Sequence, residues 1–365
     1  MQKGVRLFAS VVALMLIVTL GQGRGNQAQE ATTAEQDVQR GRLLFAQGNY
    51  QGAVEVLRQA LAKKPDLAEA HYYLGMALYR LNIYDQAEPE LREALRLKGN
   101  NYPDAHFGLG MLYFRKRDNE AAVREFKTAI EQRNGSFPDA SNVLGVIYFN
   151  QKNYSEAVAH FRQAVAGEPN RPEFNFNLGQ AVEKELVEGT GSAPTGTWSE
   201  AIDAYRKAVE SRSNYLLARR ALGLALIGTD NDAAVTELQS VVQQIQPSPE
   251  RMQLEEIIDL IKKPEDPAAQ PEDLSKVKGV SKLPPIHAPA EAMRQNVQGT
   301  IVLSALFCYD KRVRVLKVVK GLGRGVDEVV IDAVRRIQFE PSQVGGRAVS
   351  ERRLIKVDFP ASARS

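Results

Sequence analysis

A single cysteine in 365 residues, Cys308, rules out an intrachain disulfide and any metal site built from several thiolates. Histidine is nearly as scarce. The four, His71, His106, His160 and His287, never stand at i,i+4 from one another, and no cysteine or paired carboxylate set lies near them in sequence. Neither a metal centre nor a nucleophile–base arrangement is therefore written in the chain. Packing or surface roles are expected for all four, and Cys308, inside a predicted strand, reads as a buried and inert thiol. The glycine-rich "GLGRG" at 321–325 lacks the full dinucleotide fingerprint and belongs to a unit too small for that fold, so it reads as a turn. Glutamates are plentiful but scattered over helical faces. No enzyme activity, no cofactor and no metal is expected, and no nucleic-acid motif accompanies the basic residues.

What is present is an ordinary soluble composition, 44% hydrophobic and 25% charged, in a chain long enough for two or three modules. The formal charge of +3 conceals an asymmetry. Residues 274–365 hold 17 Lys and Arg against 8 Asp and Glu, whereas the rest holds 30 against 36, so a basic tail follows an acidic body.

The first residues address the compartment. Lys3 and Arg6 precede an uncharged, largely apolar run of 15 residues, 7–21, and a small, polar stretch follows. The run is shorter than the roughly 20 residues of a spanning helix, and Gly21-Gln22-Gly23 offers a small-x-small cleavage site. A signal peptide over 1–23 is expected, with a membrane anchor as the alternative, followed by a short linker over 24–33. Either way the bulk of the chain is expected to be exported to the periplasm.

Glycines in register at Gly41, Gly75, Gly110, Gly145, Gly179 and Gly223 are spaced by 34, 35, 35, 34 and 44 residues. Twelve residues after each of the first four comes Ala53, Ala87, Ala122 or Ala157, then Leu57, Leu91, Phe126 or Phe161, then Ala60, Ala94, Ala129 or Ala164. Small residues let two antiparallel helices approach while the large one fills the gap, a pattern that stacks into a solenoid. It resembles the tetratricopeptide repeat over about residues 34–247. In the fifth unit "GTGSAPTGT" is inserted between the helices, and Trp198 then stands where other units carry Tyr50, Tyr84 or Tyr154. "SPERMQLEEIIDLIKK" after the sixth reads as a capping helix.

The resemblance implies that the first helix of each unit lines a concave groove. Tyr72, Met76, Tyr79, Phe107, Met111, Phe114, Asn142 and Phe149 are then expected to face it, with Arg80, Arg115 and Lys184 near the rim. Family members that grip a C-terminal carboxylate usually carry Asn where Met76, Met111 and Val146 stand, so an apolar peptide or protein surface is the expected partner.

Residues 264–273 read as a semi-extended Pro- and Glu-rich linker. Having no apolar run, it predicts independent folding of the solenoid, 34–263, and the tail, 274–360. In the tail the sequence predicts a helix at 289–296, a strand at 300–309, a turn at Asp310-Lys311, a strand at 313–320, a helix at 326–337 and a last strand at 352–359. Its ordered features are Pro285 and Pro289, Gln298-Gly299-Thr300-Ile301-Val302-Leu303, Val315 to Val319, Asp327, Ala333-Val334, Phe339-Glu340-Pro341 and Gly345-Gly346. Together they resemble the C-terminal domain of TonB-type energy transducers. The fold class expected is therefore multidomain, an all-α solenoid followed by a small α+β unit.

The resemblance implies docking of an extended peptide segment by strand addition along Arg352, Arg353, Leu354, Ile355, Lys356 and Val357. The partners it implies are envelope or outer-membrane proteins. Family transducers keep an N-terminal helix bearing a histidine and a long proline-rich spacer; here the apolar run has no histidine, and repeats replace the spacer. The expected function is a periplasmic protein–protein interaction adaptor, with an inner-membrane-anchored TonB-type transducer for outer-membrane transport as the alternative.

Overall fold

Five of the helical pairs are set by a glycine that leaves room for one large side chain. A Cβ on Gly41 would lie 2.5 Å from Leu57, on Gly75 2.8 Å from Leu91, on Gly145 2.6 Å from Phe161 and on Gly179 2.6 Å from Tyr205. These partners are among the most buried side chains of the protein, as expected where two helix backbones close on one filler. The computed structural model describes residues 33–189, 194–264, 268–277, 280, 283–323 and 325–359. The expected signal segment, 1–23, lies outside the described residues, as does part of the inserted loop.

Among the described residues, thirteen helices make up the solenoid: α1 (Ala34–Ala46), α2 (Tyr50–Lys63), α3 (Ala68–Arg80), α4 (Tyr84–Leu97), α5 (Pro103–Arg115), α6 (Asn119–Gln132), α7 (Pro138–Asn150), α8 (Tyr154–Gly167), α9 (Pro172–Glu188), α10 (Trp198–Ser211), α11 (Leu216–Leu226), α12 (Asn231–Gln244) and α13 (Pro249–Lys262). Local chemistry marks their starts. Thr33 and Gln36 form a capping box, and Asn49, Asn153, Thr197, Asp230 and Ser248 accept a hydrogen bond from the first turn that follows. Proline opens α5, α7, α9 and α13, where its missing N–H costs nothing. By packing, the chain divides into two compact units, Met1–Glu125 and Phe126–Ser365, with the border inside α6.

The first unit is centred on Val38, Leu57, Leu74, Leu78, Leu91 and Leu109 with alanines between them. The second continues the repeats and carries the tail: β1 (Glu272–Asp273), a short 3-10 turn (Leu274–Lys276), α14 (Ala290–Arg294), β2 (Gly299–Phe307), β3 (Val313–Lys320), α15 (Val326–Arg335), β4 (Gln343–Val344), β5 (Arg347–Ala348) and β6 (Glu351–Phe359). The main sheet has the order β1-β6-β2-β3, with β2 antiparallel to both neighbours and β1 parallel to β6. β4 and β5 form a separate hairpin around Gly345 and Gly346, both at positive φ. All the predicted tail elements are present, while β1 and the β4–β5 pair are additions. One sheet face packs Ile301, Leu303, Ala305, Phe307, Ile355 and Val357 against Val330 and Val334 of α15.

The expected independence of solenoid and tail is corrected by the packing. Leu306, Cys308 and Leu316 leave the tail core and join Leu222, Leu226, Leu238, Leu254, Ile257 and Ile258 of α11, α12 and α13 in one buried cluster. Side chains alternate across a strand, so β2 supplies both cores. Near residue 228 the backbones nearly touch, for a Cβ on Gly228 would overlap the Val315 carbonyl oxygen. The linker separates the two modules in sequence without separating them in space.

Candidate partner-binding surfaces

In the first unit α3 and α5 present the expected aromatic and methionine side chains, most of them half-buried. Tyr72 packs on Tyr73 at 5.0 Å between ring centroids and on Tyr102 at 5.3 Å, and Phe45 joins Tyr73 at 5.9 Å. Phe107, Met111 and Phe114 are likewise half-buried. Met76 does two jobs: its Sδ lies 2.8 Å from where a Cβ on Gly108 would sit, so it wedges α3 against α5. Tyr79 departs from expectation. It is buried, packs at a tilt on Tyr84 at 5.9 Å between ring centroids and bonds Arg115, so it belongs to the core rather than to an open face. Of the rim cations, Arg80 lies 4.8 Å above the Tyr50 ring. Sequence reasoning missed Tyr73, Tyr102 and Phe45, which complete the aromatic array; its register followed the residue after the repeat glycine and those one turn to either side of it.

A second recurring feature sits at the fourth residue of the first helices. His71 and His106 each place Nδ1 2.6 Å from a second-helix glutamate, Glu90 or Glu125, and point Nε2 at a carbonyl six residues earlier, Pro65 or Asn100. Asn175 bonds the Pro169 carbonyl and Arg219 the Ser213 carbonyl at the same offset, and Arg219 also pairs with Glu237 at 2.6 Å. The side chain thus ties the preceding loop to its own pair of helices. With both ring nitrogens facing acceptors, the imidazolium is favoured. The Glu90 hydrogen bond raises the His71 pKa, while at His106 burial opposes the charge but is outweighed by Glu125 and the Asn100 carbonyl.

In the second unit Asn142 Oδ1 accepts from Asn177 Nδ2 at 2.9 Å, and Phe149 packs edge-on to Tyr154 at 5.5 Å. The first-helix face of the fifth and sixth repeats is not open, because the β2–β3 turn lies on it. Arg312 pairs with Glu183 of α9, whose other oxygen accepts from the buried Tyr205 hydroxyl at 2.8 Å. Arg335, ending α15, lies 4.9 Å above the ring of Trp198, which explains an indole in place of the tyrosine of other units. Between α9, α11 and the turn remains a cleft of about 910 Å³. Its charges are already paired, Lys311 with Glu340 at 2.9 Å, Arg314 with Asp310 at 2.6 Å and Lys184 with Glu188. Burial pushes the Cys308 thiol up to about 11, in keeping with the inert role expected of it.

The expected docking strand is divided among several tasks. Arg352 donates to the Leu260 and Lys263 carbonyls at the end of α13 and to Ser304 Oγ at 3.1 Å. Arg353 pairs with Glu351 at 2.5 Å and with Glu272 at 3.1 Å. Leu354 and Lys356 are half-buried, whereas Ile355 and Val357 are buried in the tail core. One side of β6 is taken by β2 along its whole length, from Glu351 opposite Phe307 to Phe359 opposite Gly299. On the other side, among the described residues, β1 pairs at two positions, Glu272 with Ile355 and Asp273 with Lys356.

A stack of paired helices closed by a small mixed sheet defines a repeat scaffold joined to an α+β interaction module. The chain carries tetratricopeptide repeats, with models described as "TPR repeat" matching residues 41–82 and as "Tetratricopeptide repeat" matching 68–101, 107–173 and 148–185. Its tail is a TonB C-terminal domain, matched over 284–360 by the model "Gram-negative bacterial TonB protein C-terminal". Among solved structures, pilF of Pseudomonas aeruginosa is similar at 18% identity and TM-score 0.52, covering 61% of this chain and 96% of that one. A chain of the APC/C hetero-tetramer Cut9-Hcn1 gives 18% and 0.48 over 62% of this chain and 43% of that one; a thermophilic TPR protein of Thermus thermophilus gives 23% and 0.41 over 53% and 99%. No curated protein matches the chain.

Proposed function

We propose that the protein is an exported adaptor of the cell envelope, whose first repeats hold one protein segment while its TonB-type sheet engages another by strand addition. The observation that carries this reading is the fusion of two interaction modules in one chain, tetratricopeptide repeats and a TonB C-terminal domain. The aromatic and methionine face of the first unit supports an apolar segment as one partner. The side of β6 away from β2, where β1 pairs at two positions among the described residues, supports an extended segment as the other. The basic start and apolar run at 7–21 support export to the periplasm.

Fractionation with N-terminal sequencing tests the reading. A mature chain beginning between Arg24 and Glu30 in the soluble periplasmic fraction is the expected result. Intact Met1 in carbonate-washed membranes would favour the anchored transducer, and a cytosolic chain would overturn both.

A further inference from the structure

Ion pairing in the cleft between α9, α11 and the β2–β3 turn uses up its carboxylates without using up its donors. Among the described residues, Glu183 accepts from Arg312 and Tyr205, Glu188 from Lys184 and Tyr154, Asp310 from Arg314, and Glu340 from Lys311. All four acids of the lining are therefore engaged. An arginine carries five N–H donors, yet the Arg312 side chain bonds one oxygen of Glu183 and the Arg220 side chain one oxygen of Glu250. The Gln180 amide and the Tyr309 hydroxyl line the same cleft and have no hydrogen-bond partner among the described residues. Burial, and next Asp310, raise the Tyr309 pKa, so this hydroxyl keeps its proton and remains a donor. Val187, Leu224 and Phe339 supply apolar wall.

We propose that this cleft is a further binding site, built jointly by the last repeats and the tail, for an acidic side chain carried on an otherwise apolar segment of a partner protein. The donors come from both walls, Gln180 and Arg220 from the repeats and Tyr309 and Arg312 from the tail, so neither module holds the set alone. Charge selects the ligand. A cation would meet only carboxylates that already accept hydrogen bonds, whereas a carboxylate finds uncommitted N–H and O–H groups on four side chains, two of them guanidinium forks. The volume of about 910 Å³ lies in the range of roughly 300–1,000 Å³ typical of ligand pockets, which leaves room for the apolar neighbours of the acidic residue as well as its carboxylate. The site is separate from the two surfaces of the adaptor reading, the aromatic face of the first repeats and the side of β6 away from β2.

A phage library of random nine-residue peptides, selected on the full chain and counter-selected on Arg220→Gln, removes sequences that bind elsewhere. The peptides retained should be rich in Asp or Glu beside apolar residues. Made with a fluorescein label and an amidated C-terminus, such a peptide should bind the parent at least about tenfold more tightly than Arg220→Gln, the scale of a hydrogen bond to a charged group. Gln180→Ala and Tyr309→Phe, one on each wall, should each weaken it by a smaller factor, and they keep the test decisive if Arg220→Gln misfolds. Acidic-to-amide exchange in the peptide should also weaken binding to the parent, and the loss should shrink on Arg220→Gln because the two groups meet. No retained peptide, retained peptides without acidic residues, losses that simply add, or a loss confined to one wall overturns the proposal. None of these measurements depends on export, so a cytosolic location would sink the adaptor reading and leave this result intact.

Discussion

Two histidines on equivalent turns show how one residue position can serve a whole repeat array. At His71 and His106 the ring bridges a glutamate and a loop carbonyl, and both pKa values are raised in the folded chain. The groups facing them are Glu90 and Glu93 for His71 and Glu125 for His106. A raised folded value means that folding takes up protons, so the stabilisation is full below the ordinary imidazole value near 6.5 and is lost as pH rises through the folded values. Urea unfolding should accordingly give a free energy that falls as pH rises above about 6.5, and His71→Gln with His106→Gln should flatten that slope; an unchanged slope would assign it elsewhere. Gly228 offers a test of a different kind. It shares a positive φ, +84°, with Gly48 at +78°, but only Gly228 meets a neighbour, the Val315 carbonyl. Gly48→Ala should cost about 1 kcal/mol, the conformational penalty alone, whereas Gly228→Ala should cost distinctly more because the tail must also shift. Equal costs would mean that the close approach is not a constraint.

Elements differ in how much of their environment they announce. The solenoid helices were readable because the constraint is local and recurs: a small residue facing a large one every 34 or so positions, with caps between. β2 was readable as a strand, and its nearly unbroken apolar run from Leu303 to Tyr309 also carried the sign of burial on both faces, which follows from its place between two cores. β1 was not readable. Two acidic residues after a proline have no period, and their pairing is decided by the anchorage of Leu274 and Val277 rather than by propensity. Arg352 was expected to contact a partner because the resemblance places the docking edge along the last strand, yet its guanidinium closes the C-terminal carbonyls of α13, a preferred place for a cation. Replacing Arg352 with Gln should therefore destabilise the intact chain by about 2 kcal/mol, the usual scale for hydrogen bonds from a charged donor. Lys356→Gln, on the same strand, should stay within about 0.5 kcal/mol. Chemical denaturation of both variants separates the structural arginine from the surface lysine.

For the molecule as a whole, the division that matters runs inside the helical repeats, at Glu125 and Phe126, and the TonB-type tail is part of the second unit. The tail contributes Leu306, Cys308 and Leu316 to the cluster that closes α11–α13. Burial of an aliphatic side chain is worth about 1.5–3 kcal/mol, so removing the tail withdraws several kcal/mol from the last repeats. The tail in isolation would equally lose cover for one face of β2, along with the pairing of Arg312 with Glu183 and of Arg352 with the end of α13. Fragments 33–263 and 268–359 should thus each melt well below the intact chain or aggregate when expressed alone, and should co-elute as a complex when co-expressed. Calorimetry of the intact protein should show the last repeats and the tail unfolding in one transition, with Leu306→Ala lowering that transition as a whole. Two fragments that melt separately at the temperatures of the parent would show that the shared cluster contributes little, and that the solenoid ends at α13 as an ordinary capping helix.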